Sequence, residues 1–141
     1  MAYEGQEFEG PGGMRLRLVR IDPERLEMEA HYGGEGPLPP AHFHARQDER
    51  FTVLDGAVHA VIDGRECRYA VGESFDVPAG TVHQMAGDGA ACVRWEVTPA
   101  LRTAEFFEEL YTGVAAEDPA AFLTRYADEF QLAPPPSDAG Q

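Results

Sequence analysis

Three histidines and one glutamate in this chain sit among turn-forming residues at spacings that could assemble a divalent-metal site. His42 and His44 follow Gly36-Pro37-Leu38-Pro39-Pro40-Ala41; Glu49 comes five residues after His44, and Gly56 closes the block. A second block runs from Gly72 through Pro78-Ala79-Gly80 to His83. Imidazole nitrogens and a carboxylate oxygen suit Fe(II), Mn(II), Ni(II), Co(II) or Zn(II), and the residue types do not choose among these ions. Structural sites usually close a tetrahedron with cysteines. Three His and one Glu on an octahedral ion instead leave two positions free, which is what a catalytic or ligand-binding metal needs.

The elements that carry these side chains must bring them together. His42 and His44 are two apart, so on a strand they leave from the same face. The polar segment Ala45-Arg46-Gln47-Asp48 reads as a turn or bulge that resets the chain, so that Glu49 shares an inward phase with Phe51 and Val53. Pro78-Ala79-Gly80 suits a tight turn, with Pro presetting φ and Gly relieving the steric cost, and this would deliver His83 to the mouth of a barrel. His31 and His59 fall on the polar phase of their segments and read as ordinary surface histidines.

From Met14 to Val97 the chain reads as short strands. Met14–Leu18 and Leu26–Tyr32 alternate apolar with polar residues, the period of a half-buried strand. Phe51–Leu54 and Val58–Ile62 flank Asp55-Gly56, a hairpin signal, and Asp63-Gly64 turns the chain again into Glu66–Val71. Ser74–Val77, Val82–Met85 and Cys92–Val97 follow. About eight closely spaced strands with no helix between them predict an all-β antiparallel barrel or sandwich over residues 14–98.

Residues 99–133 read as a helical extension of the same domain. Arg102–Tyr111 is amphipathic, with Phe106, Phe107, Leu110 and Tyr111 as its apolar residues. Asp118-Pro119 is an N-cap with proline at the first helical position, opening a second helix in which Phe122, Tyr126 and Phe130 recur every four residues. Pro134-Pro135-Pro136 is expected to end that helix. Residues 1–13 and 134–141 are expected to be flexible tails.

The chain has 141 residues, enough for one domain with a real core. Its formal net charge is −14, a field that repels phosphate backbones and anionic lipid and argues against nucleic-acid or membrane partners. All eleven basic residues are Arg, so a Schiff-base or phosphate-cradling lysine is excluded. No apolar run is long enough to span a bilayer, and the acidic, glycine-rich start does not resemble a signal peptide. Cys67 and Cys92 are scattered and fit reduced thiols, which points to a cytoplasmic protein.

The two blocks together resemble the cupin superfamily. Gly36, His42, His44, Glu49 and Gly56 match the first cupin motif throughout. Gly72, Pro78, Gly80 and His83 match the second, with Gly87 standing where Asn is usual. That Asn is not a metal ligand, so its replacement concerns the local loop and not the ion. Fifteen residues separate the motifs, the short spacing of small single-domain microbial cupins. The resemblance implies a jelly-roll β-barrel with metal at His42, His44, Glu49 and His83, and often a homodimer. It supplies no reaction, because cupins include dioxygenases, decarboxylases, isomerases, epimerases and binders.

Strand parity nominates Phe51, Ala60, Ile62, Phe75, Met85 and Trp95 as the pocket wall, a largely apolar lining for a small-molecule ligand. Glu49 is the candidate base, and Tyr32 a further candidate for a protonatable group beside the metal. Such a site points first to a metal-dependent, dioxygenase-like enzyme acting on a small organic substrate. The alternatives are a non-catalytic binding or sensing module and a metal-dependent sugar or keto-acid isomerase. The aromatic C-terminal segment favours self-association as a homodimer.

Overall fold

The computed structural model describes residues 1–34 and 38–134. Gly36 of the first motif, and residues 135–141 of the expected C-terminal tail, lie outside the described residues. The strands are β1 (Glu7–Glu9), β2 (Arg15–Ile21), β3 (Leu26–Gly34), β4 (His42–Phe43), β5 (Asp48–Asp55), β6 (Ala57–Ile62), β7 (Arg65–Ala70), β8 (Ser74–Val77), β9 (His83–Gly87), β10 (Gly89–Thr98) and β11 (Gln131–Leu132). The helical segments are α1 (Thr103–Tyr111), α2 (Val114–Glu117) and α3 (Pro119–Arg125).

Two antiparallel sheets form the body. One has the order β1-β2-β3-β10-β5-β8 and the other β11-β4-β9-β6-β7. Alternation decides which side chains turn inward. Leu16 and Leu18 of β2, Leu26, Met28 and Ala30 of β3, and Val93 and Val97 of β10 are buried from the first sheet. Val58 and Ala60 of β6 and Met85 of β9 meet them from the second, giving one shared core. The expected all-β jelly roll with C-terminal helices is the fold.

Three local expectations are corrected by the tertiary structure. Residues 1–13 are not flexible throughout: β1 adds to β2 with Glu7 opposite Arg17 and Glu9 opposite Arg15, and Phe8 between them is buried. Opposite charges across the ladder and one buried phenyl ring outweigh the turn-rich composition around them. Asp55-Gly56 does not close a hairpin. β5 is already paired on both sides, by β10 and β8, and β6 by β9 and β7, so the chain turns a corner from one sheet to the other. Gly56 is needed there: its φ is +70°, and an added Cβ would lie 2.2 Å from the Ala90 carbonyl oxygen. The Asp63-Gly64 turn does join neighbouring strands, with φ of +51° and +80°, both in the left-handed region such two-residue turns require.

The second helix is shorter than its aromatic repeat predicts. It opens as expected, with the Asp118 side chain accepting a hydrogen bond from the Ala121 N–H and Pro119 at its start. It stops at Arg125, well before the prolines, and Phe130 lies beyond it. The chain turns so that β11 pairs with β4, Gln131 opposite Phe43 and Leu132 opposite His42. Phe106 of α1 gathers Phe122, Tyr126 and Phe130 around its ring at centroid distances of 5.0, 5.7 and 5.1 Å. Phe107 on the same helix packs edge-on against Trp95 of β10 at 5.2 Å. Leu110, expected on the apolar face, is exposed. The C-terminal segment is therefore fastened to the barrel by rings and by a strand, and both attachments reach the histidines.

Candidate metal centre

β4 and β9 pair with His42 directly opposite His83. Two residues along the chain, His44 closes the group: ring centroids are 4.4 Å apart for His42–His83, 5.1 Å for His42–His44 and 5.3 Å for His44–His83. The three histidines each offer a ring nitrogen within 4.8 Å of the other two. Glu49 comes from β5 in the other sheet. Its Oε1 lies 3.1 Å from His44 Nε2 and 2.9 Å from His83 Nε2, so Glu49 meets two of the three imidazoles, while the mutually close group is formed by the histidines.

The outer nitrogens of the rings are all engaged. His42 Nδ1 is 3.0 Å from the Pro40 carbonyl, His44 Nδ1 2.7 Å from that of Glu129, and His83 Nδ1 2.9 Å from that of Thr81. A carbonyl can only accept, so each Nδ1 carries the proton and donates it. Each neutral ring then presents Nε2 as a lone pair toward the centre, the arrangement by which outer partners orient metal-binding imidazoles. Glu49 is fixed in the same way, because its Oε2 accepts from the Trp95 indole N–H at 2.7 Å.

A neutral His44 of that tautomer faces Glu49 with lone pair against lone pair. His44 Nε2 and Glu49 Oε1 are buried and neither has a hydrogen-bond donor. Buried polar atoms left in this way are costly unless something satisfies them. A proton shared between them or a cation accepting from all the donors at once would do so, and the three-imidazole, one-carboxylate set fits a divalent ion.

The electrostatics follow from the same packing. Burial, then the neighbouring His83, pushes His42 down to about 4. Burial alone would lower His44, but the Glu49 carboxylate beside it prevails and raises it. Burial would likewise raise Glu49, yet His44 and His83 hold its carboxyl well below the usual range. Tyr32 of β3 shares the phase of Met28 and Ala30 and is partly buried against the core. Burial, followed by Tyr111 and Glu49, raises its phenol above the ordinary value, so it stays protonated.

The six expected wall residues all belong to or pack against the core. Phe51 stacks on Phe75 at 5.0 Å and on Trp95 at 5.4 Å, so three of them form a continuous aromatic wall. Ala60 and Met85 are buried opposite them on the second sheet, with Ile62 partly buried in register with His83.

Gly87, the departure from the second motif, has a steric cause. An added Cβ there would lie 2.7 Å from Tyr32 Cβ and 2.6 Å from the Gly89 carbonyl oxygen. The position that usually carries Asn is left bare where Tyr32 passes.

Other residues escaped the sequence reading. Phe130 stacks on the His42 ring at 4.9 Å and meets His44 edge-on at 6.1 Å, closing the centre from the C-terminal side. Glu129 is buried; its carbonyl holds His44, while its carboxylate accepts from the Arg102 N–H at 3.2 Å. No local signal ties residue 129 to a histidine 85 positions earlier, or residue 130 to histidines still further back. Gln47 is buried too, donating to the Pro99 and Ala100 carbonyls and the Thr103 hydroxyl at 2.7–3.0 Å, which anchors the segment between His44 and Glu49 to the start of α1. Trp95 appears in the sequence as an apolar wall, and only the fold shows its N–H aimed at Glu49.

A stretch of 51 residues is 37% identical to quercetin 2,3-dioxygenase of Bacillus subtilis (strain 168), covering 36% of this chain but only 15% of that enzyme. The structure resembles that of KdgF from Halomonas sp., with a TM-score of 0.60 at 22% identity over 67% of this chain and 86% of that one. An RmlC-like cupin from Shewanella frigidimarina NCIMB 400 gives a TM-score of 0.60 at 20% identity over 70% and 87% of the respective chains. At these identities the structural likeness speaks for the fold. The model of the cupin domain matches residues 18–98, which hold His42, His44, Glu49 and His83 and more than half of the chain, and the protein therefore belongs to the cupin family.

Proposed function

We propose that the protein is a metal-dependent, dioxygenase-like enzyme acting on a small organic substrate, with the ion held by His42, His44, Glu49 and His83. The observation that carries the metal is the pair of buried, partnerless atoms His44 Nε2 and Glu49 Oε1, set 3.1 Å apart while all three Nδ1 atoms point away. The partial identity with quercetin 2,3-dioxygenase supports the oxygenase reading. A divalent ion at these donors would supply Lewis acidity and, if redox-active, one-electron chemistry.

The chain's own residues have distinct roles in this reading. Trp95 and the histidines keep Glu49 ionised and oriented, which makes it a better ligand than base. The wall of Phe51, Phe75 and Trp95 offers an apolar face to a planar substrate and excludes water around it. Tyr32, protonated at Oη, would donate a hydrogen bond to an oxygen on which negative charge develops. Oxygen uptake by Fe(II)- or Mn(II)-loaded protein, measured across flavonols, β-diketones and catechols, tests the reading. Uptake with at least one class is expected, and none with any would defeat it.

Tyr32 also supports a second reading, a sugar or keto-acid isomerase in which its hydroxyl moves the proton. Tyr32→Phe would then abolish turnover, whereas it would only slow an oxygenase. Capture of ligand without any product would instead favour a binding or sensing module. We also place the protein in the cytoplasm as a homodimer. Cys67 and Cys92 are free thiols on different sheets, and no described helix is long and apolar enough to cross a membrane. Sedimentation at micromolar concentration tests the dimer, with a species near 31 kDa expected from the 15.4 kDa chain, about twice its mass.

A further inference from the structure

His31 lies on the polar phase of β3, and the structure gives that phase a purpose. Met28 and Ala30 are buried, so Glu29 and His31 project from the outer face of the first sheet. Cys92 of β10 stands in register with His31. Among the described residues, Glu29, His31 and Cys92 form a second group whose donor atoms all lie within 4.8 Å of one another. We propose that these three residues hold a second divalent cation of zinc-like preference, on the opposite face of the sheet from the barrel centre and independent of it.

The geometry is that of a partly assembled tetrahedron. His31 Nε2 is 3.7 Å from Cys92 Sγ and 2.9 Å from Glu29 Oε1. Zinc–nitrogen bonds of about 2.0–2.1 Å and zinc–sulfur bonds of about 2.3 Å place the two donors of a tetrahedral edge roughly 3.5 Å apart. The imidazole–thiol distance already has that length. The imidazole–carboxylate distance must open by about half an ångström, which an ordinary Glu side-chain rotation provides. Without an ion, the His31 Nε2–H and the Cys92 thiol both donate to Glu29, so hydrogen bonds alone already draw the three donors together.

Neighbouring residues support the placement. Arg17 NH2 lies 3.4 Å from Glu29 Oε2, steadying the carboxylate while leaving Oε1 toward His31. Asp55, in register with Cys92 on its other side, adds a second carboxylate nearby. Arg15 and Arg94 occupy the register positions beside His31 and Glu29, so directed donor atoms, not a negative field, would retain the ion. Burial and the Glu29 and Asp55 charges raise the Cys92 thiol, so binding must displace its proton. Imidazole, thiolate and carboxylate together suit Zn(II) or Co(II) better than Mg(II) or Ca(II).

Cobalt titration of the full chain, stripped of metal, tests this, because thiolate ligation gives a charge-transfer band in the near ultraviolet. The wild type should bind two equivalents and show the band, and Zn(II) should displace the cobalt. Cys92→Ser should remove the band and one equivalent, while Cys67→Ser should keep both. His42→Ala combined with His83→Ala should lose the other equivalent and keep the band, so failure of the barrel centre is read separately. A wild type without the band, or a band that survives Cys92→Ser, overturns the proposal.

Discussion

At the scale of single residues, the centre is built by hydrogen bonds that dictate where protons are not. Backbone carbonyls at Pro40, Thr81 and Glu129 take the Nδ1 protons, and the indole of Trp95 takes the outer lobe of Glu49. Trp95→Phe keeps the ring and removes only the donor. Metal affinity should fall about 10–100-fold, the usual effect of losing an outer partner, with far-ultraviolet circular dichroism unchanged; competition with a chromophoric chelator reads it. Acid should release the metal because protons compete for Nε2. In the apoprotein His44, raised by Glu49, takes a proton before His42, which is lowered to about 4. Release followed against pH should therefore begin at His44, visible in its imidazole NMR signals before those of His42. Glu49 has the opposite sign. Its lowered carboxyl favours folding of the apoprotein above the ordinary carboxylate value of 4.5, and that contribution is lost progressively as pH falls below it.

At the scale of elements, the corner between β5 and β6 separates two meanings of one glycine. Gly56 and Gly64 both have positive φ, but only Gly56 meets backbone where a Cβ would be. Gly64→Ala should cost about 1–2 kcal/mol for the left-handed conformation alone. Gly56→Ala carries the same strain and a 2.2 Å clash with the Ala90 carbonyl, and should cost upward of about 3 kcal/mol. Urea unfolding of the two variants gives the comparison; equal losses would mean that the corner relaxes freely. The Asp55-Gly56 signal was legible as a turn, but a dipeptide cannot report that both flanking strands already have two neighbours. The four-residue recurrence of Phe122, Tyr126 and Phe130 misled in a similar way. All three rings do meet Phe106, yet Phe130 arrives by a turn and a strand and not by a longer helix.

At the scale of the molecule, the core and the centre are separable. Leu18, Leu26, Met28, Ala30, Val58 and Val93 are completely buried, and none is a candidate ligand. Treatment with a chelator should therefore leave a folded apoprotein. Its melting temperature should fall by an amount that grows with the metal concentration it is compared against, as ligand linkage requires. His42→Ala with His83→Ala should behave like the stripped protein and show no metal-dependent shift from the barrel site. Calorimetry distinguishes this from an unfolded apoprotein, which would make the ion structural.

The donor set, the alternating strands and the turns around them were all determined by the sequence, because residue type, periodicity and backbone chirality are local properties that survive without knowing the rest of the chain. The tertiary structure alone decided that Glu129 holds His44, that Phe130 lies over His42, that Trp95 orients Glu49 and that Gly87 yields to Tyr32. Those relations join residues as far apart in the chain as His42 and Phe130, and they depend on which strand edges remain free once the sheets have formed and on which rings fill the space left between them.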